Sequence, residues 1–452
     1  MKAVCVLLLV VVGCAQEENL GNTPFQDHAT WSLALGGRGY EHGNAVAIDS
    51  LGDVLVGGNG YEGTIDFGNG PVGNLGSWAF VAKRSGDTGA AMWERAITGS
   101  EDGATVWLSD IALASDGSIY VTGSYMGTAD FGGVSSATEL HLNEDMFVAK
   151  YTSDGALSWA ETLGYSSNAS GQRLAVDTFD NVYVSGRYRV GTFTFLGTTY
   201  TSGDNQVGYV VSYTRDGAPR WLRSFDPTAQ TSVSGISASP TGDVVFAGRL
   251  SSSTTFGGDV LQGTAQQAFL ARYRSDGSYV WARSVGDPNA TTTLNDVTVD
   301  SSDRIVVETA SAEPPYDGNG EQSLATFGPD GKAESSYTVD KAAIAQAVMA
   351  DGTLVSSQWI DSLYDVDHPE LATGQLELTS IDSAGDIVTS DIGKRLTQAG
   401  QGTFVNRIAV GPTGELAVVG DLAGEILVGP TAITAHGTND TDALVILIPA
   451  KN

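Results

Sequence analysis

One strand–turn–strand phrase recurs seven times along this 452-residue chain, and it restricts the fold more than any other feature. The copies span Ala47–Val56, Ala112–Val121, Ala175–Val184, Ile236–Phe246, Val297–Val307, Val348–Val355 and Ile408–Val418. Each is an apolar run, a turn of Asp, Gly, Ser or Pro-Thr-Gly, and a second β-branched run. With Gly52, Gly117, Asp180, Gly242, Asp303, Gly352 and Gly414 taken as equivalent, the steps are 65, 63, 62, 61, 49 and 62 residues. A period of this length, built from short β-rich runs and tight turns, predicts an all-β seven-bladed β-propeller of four-stranded blades.

The remaining two strands of each unit are legible as well. A third run appears as Ala79-Phe-Val-Ala-Lys83, Met146-Phe-Val-Ala-Lys150, Gly208-Tyr-Val-Val-Ser212 and Ala268-Phe-Leu-Ala-Arg272, with weaker forms at Ser323–Phe327 and Leu376–Thr379. A second tight turn leads to a fourth strand, which begins with tryptophan in four units: Trp93, Trp159, Trp221 and Trp281. Rings of that size bury much apolar area, so they are expected between neighbouring blades. The last unit stops at its third strand, Ala443–Ile448, while a matching fourth strand, Trp31-Ser-Leu-Ala-Leu-Gly36, stands at the other end of the chain. The N-terminal strand is therefore expected to complete the last blade and close the ring, which removes exposed sheet edges. Units five and six lack the tryptophan, so Ser311 to Asp391 departs most from the repeat.

The first residues read as an export signal. Met1-Lys2 precedes an apolar run from Ala3 to Val12, too short to span a bilayer. It ends Val11-Val12-Gly13-Cys14, which resembles the lipobox of bacterial lipoproteins. The resemblance implies a signal peptide at 1–13, cleavage before Cys14 and acylation of its thiol; several acyl chains suffice for stable anchoring. With Cys5 removed, the mature chain has no second cysteine for an internal disulfide. Ala15 at the next position implies sorting to the outer membrane, on its periplasmic side or at the cell surface. Residues 14–30 read as the lipidated cysteine and a tether, polar from Gln16 to Thr30 and reaching about 50 Å when extended. Residues 31–452 form the propeller, long enough for a closed core.

The chain carries 23 basic and 53 acidic residues, a formal charge of −30. Such a surface repels nucleic acid and anionic headgroups, so no nucleic-acid partner is expected; it favours cationic partners and divalent ions, or serves solubility alone. Catalytic signatures are scarce. The five histidines, His28, His42, His141, His368 and His436, are scattered, with no HExxH, nucleophile elbow or phosphate-binding glycine loop. One acidic cluster, Asp361, Asp365, Asp367 and Glu370 beside His368, has the oxygen density to hold Ca²⁺, although it has no EF-hand pattern. The turn carboxylates Asp49, Asp53, Asp177, Asp180, Asp300 and Asp303 follow the repeat and are expected to cap turns. So does Gly-Thr-x-Asp-Phe-Gly, at Gly63–Gly68 and Gly127–Gly132, with glycines for the turn and phenylalanine for packing between blades.

Taken together, the unit from Asp-Ser-x-Gly-Asp through Asp-Phe-Gly and Phe-Val-Ala-Lys-Tyr to Asp-Gly-x-x-x-Trp resembles the bacterial seven-bladed propeller repeat called SBBP, over Trp31 to Ile448. That resemblance implies an exported or surface protein and transfers no catalytic residue. Gly86-Asp-Thr-Gly-Ala-Ala-Met-Trp93 is similar to PQQ-like propeller repeats, whose lipoprotein members include an accessory of outer-membrane protein assembly. The expectation is a monomeric, non-catalytic propeller that binds a protein or glycan through its variable-loop face. The alternatives are a calcium-dependent propeller hydrolase or lyase, and an assembly accessory. The tight turns share one face and the variable connections the other, and a rigid scaffold binds on the variable side.

Overall fold

The computed structural model describes residues 29–450 except 38, 69, 100–102, 134, 138–142, 165–166, 259, 264–266, 287–290, 313–320, 340–344, 362–373, 383–385, 396–403 and 437–439. Cys14, the export signal, and Asp365, Asp367 and Glu370 lie outside these residues. The described chain is all-β, of propeller type, with no helix among the described residues.

Antiparallel pairing groups the strands by repeat. Unit one joins Tyr40–Ile48, Val54–Asp66, Pro71–Arg84 and Ala91–Ile97 in that order. Unit two joins Thr105–Leu113, Ile119–Met126, Asp145–Tyr151 and Leu157–Leu163. Unit three runs Asn168–Val176, Val182–Arg189, Val207–Tyr213 and Pro219–Ser224. Unit four runs Thr231–Ala238, Val244–Leu250, Gln267–Tyr273 and Tyr279–Val285. Unit five comprises Thr291–Val299, Ile305–Ala312, Glu321–Phe327 and Ala333–Val339. Unit six comprises Ala345–Val348, Leu354–Asp361, Gly374–Ile381 and Ile387–Arg395. Unit seven supplies Phe404–Val410, Leu416–Ala423 and Thr441–Ile448, and the strand paired to the last of these is Trp31–Leu35, in register from Trp31↔Leu447 to Leu35↔Ala443.

The third strands show why such units must stack. Asp145–Tyr151, Val207–Tyr213 and Gln267–Tyr273 are buried at every position, so both faces of each sheet are covered. First strands pack against first strands of the following unit, and that of unit seven packs against that of unit one. The second-to-third connections, expected as loops, fold into hairpins: Thr128–Asp130 with Ser135–Ala137, Gly191–Phe195 with Thr198–Ser202, and Glu425–Val428 with Thr431–Thr434. The Asp-Phe-Gly phrase sits at these hairpins. Asp66 Oδ1 accepts from the N–H groups of Gly68 and Gly70, and Asp130 Oδ1 from those of Gly132 and Gly133. Its phenylalanine makes its ring contacts within its own unit rather than with the next. Phe67 lies 5.0 Å from Phe80 and Phe131 lies 5.2 Å from Phe147, both on the third strand.

The tryptophans make the contact between units. Trp93 Nε1 donates to the carbonyl of Ser153, Trp159 to Arg215, Trp221 to Ser275 and Trp281 to Pro329, at 2.9–3.1 Å. Trp31 repeats the contact from the N-terminal strand to Gly86 of unit one at 2.8 Å. Each ring lies on the glycine of the same turn: Gly89, Gly155, Gly217, Gly277 and Gly331. A Cβ there would come within 2.6–2.9 Å of a ring carbon, and all five glycines have φ between +70° and +86°. Register places Ser335 of unit five and Val388 of unit six where the other units hold tryptophan. Turn carboxylates divide into two kinds. Asp49, Asp177 and Asp300 cap their own turns, whereas Asp180 and Asp303 reach out to the preceding unit, at Ser115 and Arg272.

A buried acid stands where the N-terminal strand meets unit one. Glu41 is fully buried; its Oε2 accepts from the Gly37 N–H at 3.0 Å, and its Oε1 has no hydrogen-bond partner. Burial, helped by the nearby carboxylates of Asp442 and Asp440, raises its pKa to about 7. Asp442, also fully buried and pushed up by burial, accepts from the His436 backbone N–H at 3.0 Å and shares a hydrogen bond of 2.6 Å with His436 Nδ1.

Two outcomes are expected. Trp221→Ala and Trp281→Ala each remove a ring that is 5–6% exposed, which should cost about 3–5 kcal/mol in urea unfolding. A loss under about 1 kcal/mol would show that the inter-unit contact carries little. Folded Glu41 keeps its proton up to about pH 7, while the unfolded chain releases it near 4.5. The folded state binds more protons in that window, so stability falls as pH rises through it. Glu41→Gln should match the parent near pH 4.5 and exceed it by about 3 kcal/mol at pH 8. An offset independent of pH would contradict this.

Candidate functional site

The first strands of units two to seven line one cavity, and most first strands share one irregularity. Register slips past a single residue at Asn44, Ser109, Gln172, Ser234 and Asn406, and past Asn295 and Asp296 together in unit five. Such a bulge re-aims one side chain out of the pleat. Three of these residues bridge to the carbonyl just before the bulge in the next unit. Asn44 Nδ2 donates to Leu108 at 2.8 Å, Ser234 Oγ to Leu294 at 2.6 Å, and Asn406 Nδ2 to Gly43 at 2.9 Å. Ser109 and Gln172 line the central cavity.

The residue after the slip varies from unit to unit, Ala45, Asp110, Arg173, Gly235 and Arg407, while in unit five Asp296 stands inside the wider bulge. Their charges meet on the axis. Arg407 Nη1 donates to Asp296 Oδ2 in an ion pair, and Asp110 Oδ2 accepts from the Leu174 N–H at 2.8 Å. Burial pushes the Asp110 carboxyl up and the Arg173 guanidinium down, each opposed by the opposite charges beside it. Arg407, which burial would also lower, is held above its ordinary value by Asp296 and Asp110. The cluster offsets charge against charge without water on every side.

Above this cluster lies a cavity of about 710 Å³, lined by residues from units two to seven. Arg187, Gln206 and Arg249 stand toward its outer end, where second strands finish and third strands start, so it faces the variable connections. Arg187 Nη1 donates to Gln206 Oε1 at 3.1 Å. Four arginines (Arg173, Arg187, Arg249, Arg407) against Asp296 and Glu308 give the lining a formal +2 within a chain of −30. Positive charge is thus concentrated around the cavity. Arg173 Nη1 donates to the Gln172 carbonyl at 2.8 Å, while its buried Nε has no partner.

None of these residues was singled out from the sequence. The signal is the polar residue preceding the repeat phrase, as in Gln172-Arg-Leu-Ala-Val and Asn406-Arg-Ile-Ala-Val, visible only when the units are aligned. Of the sequence-derived candidates, Cys14, Asp365, Asp367 and Glu370 fall outside the described residues, and Asp361 ends the second strand of unit six. Among the described residues, no group of three or more His, Cys, Asp or Glu is placed to hold a metal. His42 pairs through Nδ1 with Asp421 at 3.0 Å, which raises its pKa, and Asp421 also accepts from Gly43 N and Asn406 Nδ2. That histidine therefore joins unit seven to unit one.

No family model matches the chain, and no curated protein does. Solved structures do. Polysaccharide lyase Uly1 is 10% identical with a TM-score of 0.46, covering 97% of this chain and 94% of the lyase. A glucose dehydrogenase is 10% identical with a TM-score of 0.36, covering 94% and 98%. The calcium-binding protein regucalcin from Agrobacterium tumefaciens str. C58 is 12% identical with a TM-score of 0.34, covering 76% and 90%.

Proposed function

We propose that the chain is an exported, lipid-anchored seven-bladed propeller, closed by its N-terminal strand, that binds a small anionic ligand in its axial cavity without transforming it. Closure is supported by the pairing of Trp31–Leu35 with the last strand and by the packing of the first strands of units seven and one. Cys14 is the anchor, holding the propeller at the outer membrane on a tether. The variable-loop face is the route of entry, and recognition takes place below it.

One observation carries the binding reading: an acidic protein places four arginines around one cavity of about 710 Å³. Cavities of several hundred Å³ with a few convergent polar groups are the usual form of small-molecule sites. Guanidinium groups in such a space suit a carboxylate, sulfate or phosphate.

Thermal unfolding of the full-length chain, screened against small polar anions and neutral compounds of like size, tests this. Anionic members should raise the Tm, and Arg187→Gln with Arg249→Gln should reduce the shift. A panel with no anion-selective shift would overturn it. For the anchor, Cys14→Ser should abolish incorporation of labelled fatty acid and move the protein to the soluble fraction; retention in the membrane would contradict it.

A further inference from the structure

Directly after the variable charged position, each first strand carries a residue that closes the core. In six units it is apolar: Val46, Ile111, Leu174, Ile236, Val297 and Ile408, all 8% exposed or less. Unit six pairs Val348 with Leu354 as unit one pairs Ile48 with Val54, and counting back places Gln346 at this position. Gln346 is 7% exposed, lines the cavity, and has no hydrogen-bond partner at either Oε1 or Nε2. Packing alone would select Val or Ile there, and a buried amide without partners is a cost to the fold. Arg173 Nε, in the wall of the same cavity, is the second buried donor left open.

We propose that Gln346 and Arg173 together recognise a hydroxylated carboxylate, an acidic sugar unit, in the axial cavity. The proposal rests on the cavity being a ligand site and specifies what enters it. A guanidinium calls for an oxyanion, and its planar fork matches a carboxylate. The Gln346 amide offers a donor and an acceptor at once, and a hydroxyl answers both. A bare sulfate dianion only accepts, and would leave Oε1 unpaired. Ser109 and Gln172, re-aimed into the space by their bulges, add further neutral partners for a polyol. The volume of about 710 Å³ exceeds one sugar ring and admits a short oligomer.

The test uses the full-length chain in detergent, with calorimetry and thermal unfolding against three probes: an oligouronate of two to four residues, a neutral oligosaccharide of the same length, and inorganic sulfate. The oligouronate should bind at least about tenfold more tightly than either comparator. Gln346→Leu should raise the Tm of the ligand-free protein, because the unpaired amide is gone, and weaken oligouronate binding at least tenfold. Arg173→Lys, which keeps the charge but not the fork, should weaken it similarly and serves if the leucine variant fails to fold. Equal binding of the neutral oligosaccharide, or of sulfate, would overturn the ligand class while leaving the cavity as a binding site. Oligouronate binding unchanged in both variants would overturn the assignment of the pair. If no probe binds and no anion in the wider panel shifts the Tm, both readings fall.

Discussion

An indole laid on a glycine turn is the contact on which the units depend. A four-stranded sheet buried on both faces cannot stand alone, so each unit is stable only against its neighbours. The ring supplies apolar area, its N–H satisfies a turn carbonyl, and the glycine leaves the space the ring occupies. Because donor and acceptor belong to successive units, the contact also sets their spacing. Where unit five lacks the ring, a polar link spans the next junction: Arg304 pairs with Asp300 of its own turn and donates to the Gly352 carbonyl of unit six at 2.7 Å. Buried ion pairs add to this, within unit one through Lys83 with Asp49 and Asp53, and from unit four to unit five through Arg272, which pairs with Asp243 and Asp303. These cations are nearly buried, so each would be costly to leave unpaired.

With the outer contacts repeating, the inner strands are free to differ. The bulge fixes where a side chain enters the axis, and the residue after it is alanine, glycine, aspartate or arginine according to unit. A uniform backbone thus presents a non-uniform ring of charges. Opposite signs alternate, Asp110 with Arg173 and Asp296 with Arg407, which lowers the cost of gathering ionised groups away from bulk water.

The repeat, the four strands per unit, the tryptophan contacts and the origin of the last strand were all legible in the sequence, because each recurs at a fixed offset and has a local physical cause. The hairpins were not. Asp-Phe-Gly reads as a loop opening, and only folding shows Phe67 and Phe131 turned back onto their own third strands. Asp180 and Asp303 were equally opaque: they occupy the positive-φ position that other units give to glycine, at φ 61° and 67°, and spend their carboxylates on the neighbouring unit. The cavity residues escaped for a different reason. Arg173, Asp296, Gln346 and Arg407 are far apart in the chain and share no short motif; Gln346 stands out only against the six apolar residues that register aligns with it.

The strand Trp31–Leu35 finds its partner in Thr441–Ile448, some 400 residues away. The pairing cannot form until Thr441–Ile448 has been made. Contacts of such sequence separation slow folding, since chain entropy is lost before any pairing returns it. Until the two strands meet, the outer edge of the last sheet stays unpaired. The last sheet is therefore completed in a late step, when the first and last described strands meet.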